Sequence, residues 1–340
     1  MTTSLVVQTS FIGDTVLTTP LLVQLANRGA VDVVTTPASA ALLASHPAVR
    51  EVIVYDKRGA DAGIGGLVRL VRRLRETSYD VAFLAQGSTR SALLALLAGI
   101  PSRVGFSTSG GAWLYNKRVA YRDDLHHAAR LLQLARPNGR EATPEELRPT
   151  LHPGEAERRA VDELLRAGGA APGDALIAVA PGSVWGTKRW PYYPQLASAL
   201  GTTAHIVVVG GIEDGALAAE IIAAAPGSID ATGRLTLLAS AELLRRCAVL
   251  VTNDSAPEHL ASAVDTPTVA LFGPTVPGFG FGPLAARTAV LGLDDLPCRP
   301  CDRHGPERCP LGHHRCMRDL PPELVAERVR ALLSNQDRVA

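Results

Sequence analysis

The chain has no excess of charge of either sign. Its 34 lysines and arginines stand against 33 aspartates and glutamates, a formal net charge of +1. That balance argues against a whole-protein electrostatic attraction to nucleic acid, although a local basic patch could still serve an anionic substrate. No apolar run reaches the roughly eighteen residues that a membrane span requires. The opening MTTSLVVQTS has no basic segment ahead of an apolar one, so it reads as a first β-strand and not as a signal peptide. The expected location is the cytoplasm. There are only five cysteines, and in a reducing compartment they are not expected to form a disulfide framework.

Several catalytic signatures are also missing. The first strand is not followed by G-x-G-x-x-G, which disfavours a dinucleotide dehydrogenase. The segment from Gly182 to Arg189 has one residue too few between its glycines for a phosphate-binding P-loop, and Lys188 is followed by Arg189 where Ser or Thr is needed. There is no G-x-S-x-G elbow and no H-E-x-x-H zinc helix.

What is present is an alternation of short β-rich runs with helical stretches over 340 residues, of which 46% are hydrophobic and 20% charged. Strands are expected over 5–7, 31–34, 51–55 and 81–84, with helices through Leu25, over 40–44 and over 68–74. A polar, Pro-rich region from Arg136 to Pro153 follows, then a helix over 155–165. The alternation restarts with strands over 175–179, 205–209, 249–252 and 268–272. Helices are expected over 192–200, 216–224, 237–247 and 256–263, and a closing helix over 320–333. This pattern predicts an α/β protein of two Rossmann-like domains facing a cleft, each a parallel sheet with helices on both faces. The domains are expected at 1–165 and 166–320, followed by a closing segment at 321–340. Ligands of such sheets bind beyond the carboxyl ends of the strands.

Three segments fall at such ends. Thr9-Ser10-Phe11-Ile12-Gly13-Asp14 follows strand one. Gly13 lets the backbone approach a ligand, and Asp14 could act as general base on a sugar hydroxyl or simply cap the helix. The loop PGSVWGTKRWP, from Pro181 to Pro191, combines small residues, hydroxyls (Ser183, Thr187) and cations (Lys188, Arg189). It suits a diphosphate, or is a surface loop with Trp190 plugging the core. Asn253-Asp254-Ser255-Ala256-Pro257-Glu258-His259 opens a helix whose free N–H groups favour an anion, with Asp254 or Ser255 as its cap. Phe272–Thr275 forms another small-residue turn at the same edge.

Two further clusters stand apart. Cys298, Cys301, Cys309 and Cys316, with His304, His313 and His314 among them, could hold a structural zinc, though the spacing departs from that of common zinc ribbons. The stretch VRLVRRLR (68–75) could touch an anionic membrane surface. It also fits one buried stripe and one solvated face.

Taken together, the segments resemble glycosyltransferase family 9, the ADP-heptose:lipopolysaccharide heptosyltransferases. TSFIGDTVLTTPLL, PGSVWGTKRWP and TNDSAPEHLASAVDTPTVALFGPT carry the resemblance, with Arg103–Phe106 and His126-His127. The late segment CRPCDRHGPERCPLGHHRCM is similar to the heptosyltransferase II branch. Ala256 departs from a usual glycine and Glu258 from a more typical apolar residue.

The resemblance implies a GT-B fold, with the acceptor on the first domain, the nucleotide sugar on the second and the segment 321–340 packing back on the first, and it implies inverting, metal-independent transfer without a cofactor. The donor would be a nucleotide sugar, ADP-heptose. The acceptor would be a lipid-linked saccharide, lipid A-core, reached from the inner face of the cytoplasmic membrane. Asp14 would be the general base, with Thr9, Ser10 and Gly13 at the acceptor. Lys188, with Ser183 and Thr187, would meet the diphosphate. Asp254 would hold sugar hydroxyls, and Ser255, Ala256, Pro257 and His259 would meet phosphate or sugar. The residues alone also admit another nucleotide-sugar enzyme, such as an epimerase, or a non-catalytic two-domain binding protein.

Overall fold

The computed structural model describes residues 1–136 and 139–334. The chain divides into two compact units, Met1–His152 and Pro153–Ala340.

The first unit runs β1 (Ser4–Gln8), α1 (Ile12–Ala26), β2 (Val31–Thr35), α2 (Pro37–Leu43), β3 (Glu51–Val54), α3 (Gly63–Glu76), β4 (Val81–Leu84), α4 (Thr89–Leu97), β5 (Ser102–Phe106), β6 (Lys117–Val119), α5 (His127–Ala135) and α6 (Pro144–Leu147). The second runs α7 (Glu155–Ala167), β7 (Leu176–Ala180), α8 (Tyr193–Leu200), β8 (His205–Val208), α9 (Gly215–Ala224), β9 (Ile229–Asp230), α10 (Leu237–Arg246), β10 (Val249–Asn253), α11 (Ala256–Ala263), β11 (Thr268–Leu271), β12 (Thr288–Leu291), α12 (Arg315–Arg318) and α13 (Pro322–Ser334).

Each unit holds a six-stranded sheet, ordered β3-β2-β1-β4-β5-β6 in the first and β12-β11-β10-β7-β8-β9 in the second. All the pairings are parallel. The central strands are short runs rich in Val, Leu and Ala with every residue buried, as strands covered on both faces require. One core cluster packs Leu5, Val7, Leu70 and Leu84 on one side of the first sheet, and another packs Val6, Leu21, Val33 and Phe83 on the other.

The strand order reverses between β1 and β4 in the first sheet and between β7 and β10 in the second. Ligand crevices in open α/β sheets lie at such reversals, beyond the carboxyl ends of the strands. Two of the three sequence-picked segments follow β7 and β10, and the third follows β1.

The divisions along the chain differ from the sequence reading in two places. The boundary falls at 152/153, not 165/166, because α7 packs against α10 of the second unit. Its buried residues Val161 and Leu164 make it part of that body. The closing helix was expected to pack back on the first domain. In the structure α13 docks on the second unit: Val325, Ala326 and Val329 are buried in the same cluster as Ile177, Leu196 and Val251. Residues 335–340 of that expected segment lie outside the described residues.

The arginine-rich α3 buries Leu70, Val71 and Leu74. Arg69 pairs with Asp61 at 3.0 Å, Arg73 with Glu51 at 2.7 Å, and Arg75 donates to the Leu97 carbonyl at 2.7 Å. This is the buried stripe with a solvated, largely paired face. Among the described residues no helix is long and apolar enough to cross a membrane.

Candidate active site

In the first unit, chemistry gathers beyond β1 and β4. Asp14 sits in the first turn of α1, whose N-cap residue is Phe11 with no side-chain cap bond. Asp14 therefore does not cap its helix in the usual way. Instead its Oδ2 accepts the Ser10 hydroxyl at 2.6 Å, and its Oδ1 faces His127 Nε2 at 3.6 Å. His127 begins α5, which packs along α1. Burial pushes the His127 imidazole down from its ordinary range, and the Asp14 charge offsets this only in part.

Thr9 is buried, and its hydroxyl donates to Gln86 Oε1, just past β4, at 2.5 Å. Lys57 donates to the Thr9 carbonyl at 2.7 Å and to its hydroxyl oxygen at 3.2 Å. Burial lowers the Lys57 ammonium, and Arg58 and Arg90 lower it further, which marks a cationic neighbourhood beside Thr9. Gly13 is buried in the same turn.

In the second unit, Lys188 follows β7 and Asp254 follows β10. Lys188 Nζ donates to Asp254 Oδ2 at 2.7 Å and to the Asp254 carbonyl at 3.2 Å. The Thr275 hydroxyl donates to the same Oδ2 at 2.6 Å. The Lys188 and Asp254 side chains are only 10% and 11% exposed. Asn253, at the end of β10, ties the two segments together. Its Nδ2 donates to the Pro181 carbonyl at 2.9 Å, and its Oδ1 accepts from Trp190 N and Tyr193 Oη. Trp190 is buried and donates Nε1–H to the Leu320 carbonyl at 3.0 Å, so it does plug the core.

Other expected donor residues take more specific places. Ser255 is the N-cap residue of α11 but forms no side-chain cap bond, and its hydroxyl donates to the Asn253 carbonyl at 3.3 Å. Ala256 and Pro257 form the first turn of that helix. His259 is buried, with its ring 6.4 Å from that of Phe281. Ser183 Oγ accepts the Trp185 N–H at 3.3 Å, and its carbonyl accepts from Arg189. Thr187 is buried and gives its hydroxyl to the Pro306 carbonyl, which fixes the loop from behind Lys188.

The late cysteine-rich segment braces that loop. His314 Nε2 donates to the Thr187 carbonyl at 2.8 Å, and Glu307 accepts the Gly186 N–H at 3.4 Å. A Cβ on Gly186 would lie 2.6 Å from the Glu307 carbonyl oxygen, so only glycine admits this approach. All five cysteines are free. Burial pushes Cys316 up to about 11, and Cys301, Cys309 and Cys298 add to the rise. The four thiols are thus close enough to sense one another. Yet among the described residues no group of three or more His, Cys, Asp or Glu has the arrangement to hold a metal ion.

Other partners escaped sequence reading. Gln86 and Lys57 reach Thr9 across long sequence separations and belong to no local pattern, whereas Thr275 closes the Phe272–Thr275 turn that the sequence places at this edge. Asp214 caps the turn after β8, with its Oδ2 accepting the Gly211 N–H at 3.0 Å. A Cβ at Gly182 would lie 2.2 Å from Asp214 Oδ1, so the loop from Pro181 to Pro191 and this acid crowd one edge.

The profile of glycosyltransferase family 9 (heptosyltransferase) matches residues 67–310. The chain belongs to glycosyltransferase family 9. It is similar to lipopolysaccharide heptosyltransferase 2 of Salmonella typhimurium, 30% identical over 351 residues that cover 98% of this chain and 99% of the relative. Among solved structures, a family 9 glycosyltransferase from Veillonella parvula has a TM-score of 0.86 at 25% identity, covering 98% of this chain and 97% of its own. The E. coli ADP-heptose lipopolysaccharide heptosyltransferase II has a TM-score of 0.81 at 28% identity, covering 99% and 100%. The family 9 chain is thus a glycosyltransferase of the α/β, GT-B type.

Proposed function

We propose that the protein transfers a heptose from ADP-heptose to the inner core of lipopolysaccharide, in the cytoplasm, with inversion at the anomeric carbon and without a catalytic metal. The observation that carries this reading is the Lys188–Asp254 pair at the strand reversal of the second sheet. The full-length likeness to lipopolysaccharide heptosyltransferases supports the substrate class.

In this reading the diphosphate of the donor meets Lys188 and the N–H groups that open α11. Lys188 offsets the negative charge that grows on the leaving ADP, the work a divalent metal does in other transferases. Asp254 orients the ammonium and takes sugar hydroxyls. Asp14 removes the proton from the acceptor hydroxyl as its oxygen attacks the anomeric carbon. The carbon–oxygen bond to ADP breaks on the opposite face, so a single displacement inverts the configuration. The Ser10 hydroxyl aligns the Asp14 carboxylate. Lys57, with Arg58 and Arg90 nearby, favours an acceptor that carries negative charge, as a lipid A-core saccharide does. Such an acceptor would bring the enzyme to the inner face of the cytoplasmic membrane.

The test is product analysis with ADP-heptose, in the presence and absence of a truncated lipopolysaccharide acceptor. Heptosylated acceptor and free ADP, formed only when both substrates are present, are the expected products. Conversion of ADP-heptose to an isomer without acceptor would replace the reading with an epimerase. Binding without any product would replace it with a ligand-binding protein.

A further inference from the structure

Glu258 lies in the first turn of α11, four positions beyond Asp254, and none of its surface is exposed. Neither of its carboxyl oxygens has a hydrogen-bond partner among the described residues. A carboxylate removed from water without hydrogen bonds is costly, and such a group takes up a proton instead.

The surrounding charges reinforce this. Burial acts most strongly, raising the Glu258 carboxyl well above its ordinary range. The Asp254 carboxylate raises it further and Lys188 lowers it. Lys188, however, is already committed to Asp254 through two contacts, at 2.7 and 3.2 Å. Among the labelled elements α10, β10 and β11 pack most heavily on α11, and the uncharged segment 281–284 also meets it, through Phe281 and Leu284. On α10 the charged groups are Glu242, Arg245 and Arg246, and Glu242 accepts hydrogen bonds from both arginines. The strands β10 and β11 carry no charged residue. His259 is the other titratable group on α11.

We propose that Glu258 is a positioning residue of the donor site, an uncharged carboxylic acid that leaves Lys188 a single anionic partner, Asp254, and keeps the ammonium available to a diphosphate. One ammonium and one carboxylate sum to zero, so a diphosphate meets no net repulsion. An ionised Glu258 would add a second negative charge, compete for Lys188 and repel the donor. The proposal rests on the reading of Lys188 as the diphosphate ligand.

Infrared spectroscopy of the full chain tests it. At neutral pH the protein should show the carbonyl stretch of a neutral, buried carboxylic acid, and Glu258→Gln should lack that band. The midpoint at which the band titrates should fall in Asp254→Asn, where Lys188 is left to pair with Glu258. It should rise in Lys188→Ala, where the only nearby cation acting on Glu258 is gone. A wild-type protein without the band, a band that persists in Glu258→Gln, or a midpoint that neither neighbouring variant moves would overturn the proposal. Should Glu258→Gln fail to fold, the response of the wild-type band to the Asp254 and Lys188 variants still decides. The two readings fail separately. An unchanged donor KM in Lys188→Ala removes the diphosphate assignment and leaves the band standing, whereas a missing band leaves a KM loss standing.

Discussion

Lys188 Nζ lies 2.7 Å from Asp254 Oδ2 across 66 residues of sequence, and both side chains are almost wholly buried. The pairing follows from the order of the second sheet, which sets β7 beside β10 so that the segments leaving them meet at one edge. Removing one partner strands the other's charge. Asp254→Ala is expected to lower stability by about 3–5 kcal/mol, the range for breaking a buried pair. The double variant Lys188→Met/Asp254→Ala should recover much of that loss. Denaturant unfolding of the single and double variants checks this. A loss in the double variant equal to the sum of the two single losses would show that the two charges are uncoupled.

The base assignment makes a kinetic prediction. Asp14→Ala should lower kcat by about 10²–10⁴, the usual share of a general base, while donor KM stays close to wild type. Ser10→Ala should have a smaller effect of the same kind, because it frees the carboxylate without removing it. Near-normal turnover of Asp14→Ala would remove Asp14 from the chemistry.

The two αβ halves and the three strand-end segments were legible in the sequence because each rests on local pattern. A run such as LVV or LIAV reads as a buried strand, and small or polar residues mark its end. What was not legible depends on distant partners. Nothing local to Asp14 announces that His127, on α5, faces it. Nothing in the spacing of α7 shows that it will pack on α10, some seventy residues on, and so belong to the second unit. The stretch from 85 to 135, with α4, β5, β6 and α5, is not resolved into elements by the sequence reading. Glu258 is the clearest case: the sequence shows an acid where the family resemblance has a more typical apolar residue, and the packed structure shows it buried with neither carboxyl oxygen hydrogen-bonded.

The brace behind the donor loop gives a third prediction. His314→Ala removes the hydrogen bond to the Thr187 carbonyl, a loss of about 1 kcal/mol, or roughly fivefold in donor KM if Lys188 is held less well. A change in kcat alone would contradict the brace. Chelator treatment with elemental analysis separates this role from a metal-held one. About one metal per chain, with destabilisation on its removal, would assign the four cysteines to a metal.

Stability in acid turns on His46. Its Nδ1 accepts the Ala48 N–H at 3.2 Å and its Nε2 meets Thr150 Oγ1 at 3.1 Å, an arrangement of the neutral ring. Burial, with His152 beside it, lowers the imidazole from 6.5 to about 4. The unfolded chain therefore takes up this proton first. The stabilising contribution is complete above pH 6.5 and is lost as pH falls toward 4, on the order of 3 kcal/mol. His46→Asn, which keeps an acceptor for Ala48, should flatten the stability profile in that window. Parallel profiles for variant and wild type would contradict the assignment.

The most direct test of the donor site is thermal unfolding with ADP, UDP, GDP and CMP in turn, in the wild type and in Lys188→Ala. At about 100 times its dissociation constant a ligand adds roughly 2.7 kcal/mol of stability. The account predicts a rise in Tm with ADP that is lost in Lys188→Ala. An ADP shift that survives in Lys188→Ala, or a shift with another nucleotide in place of ADP, would contradict it.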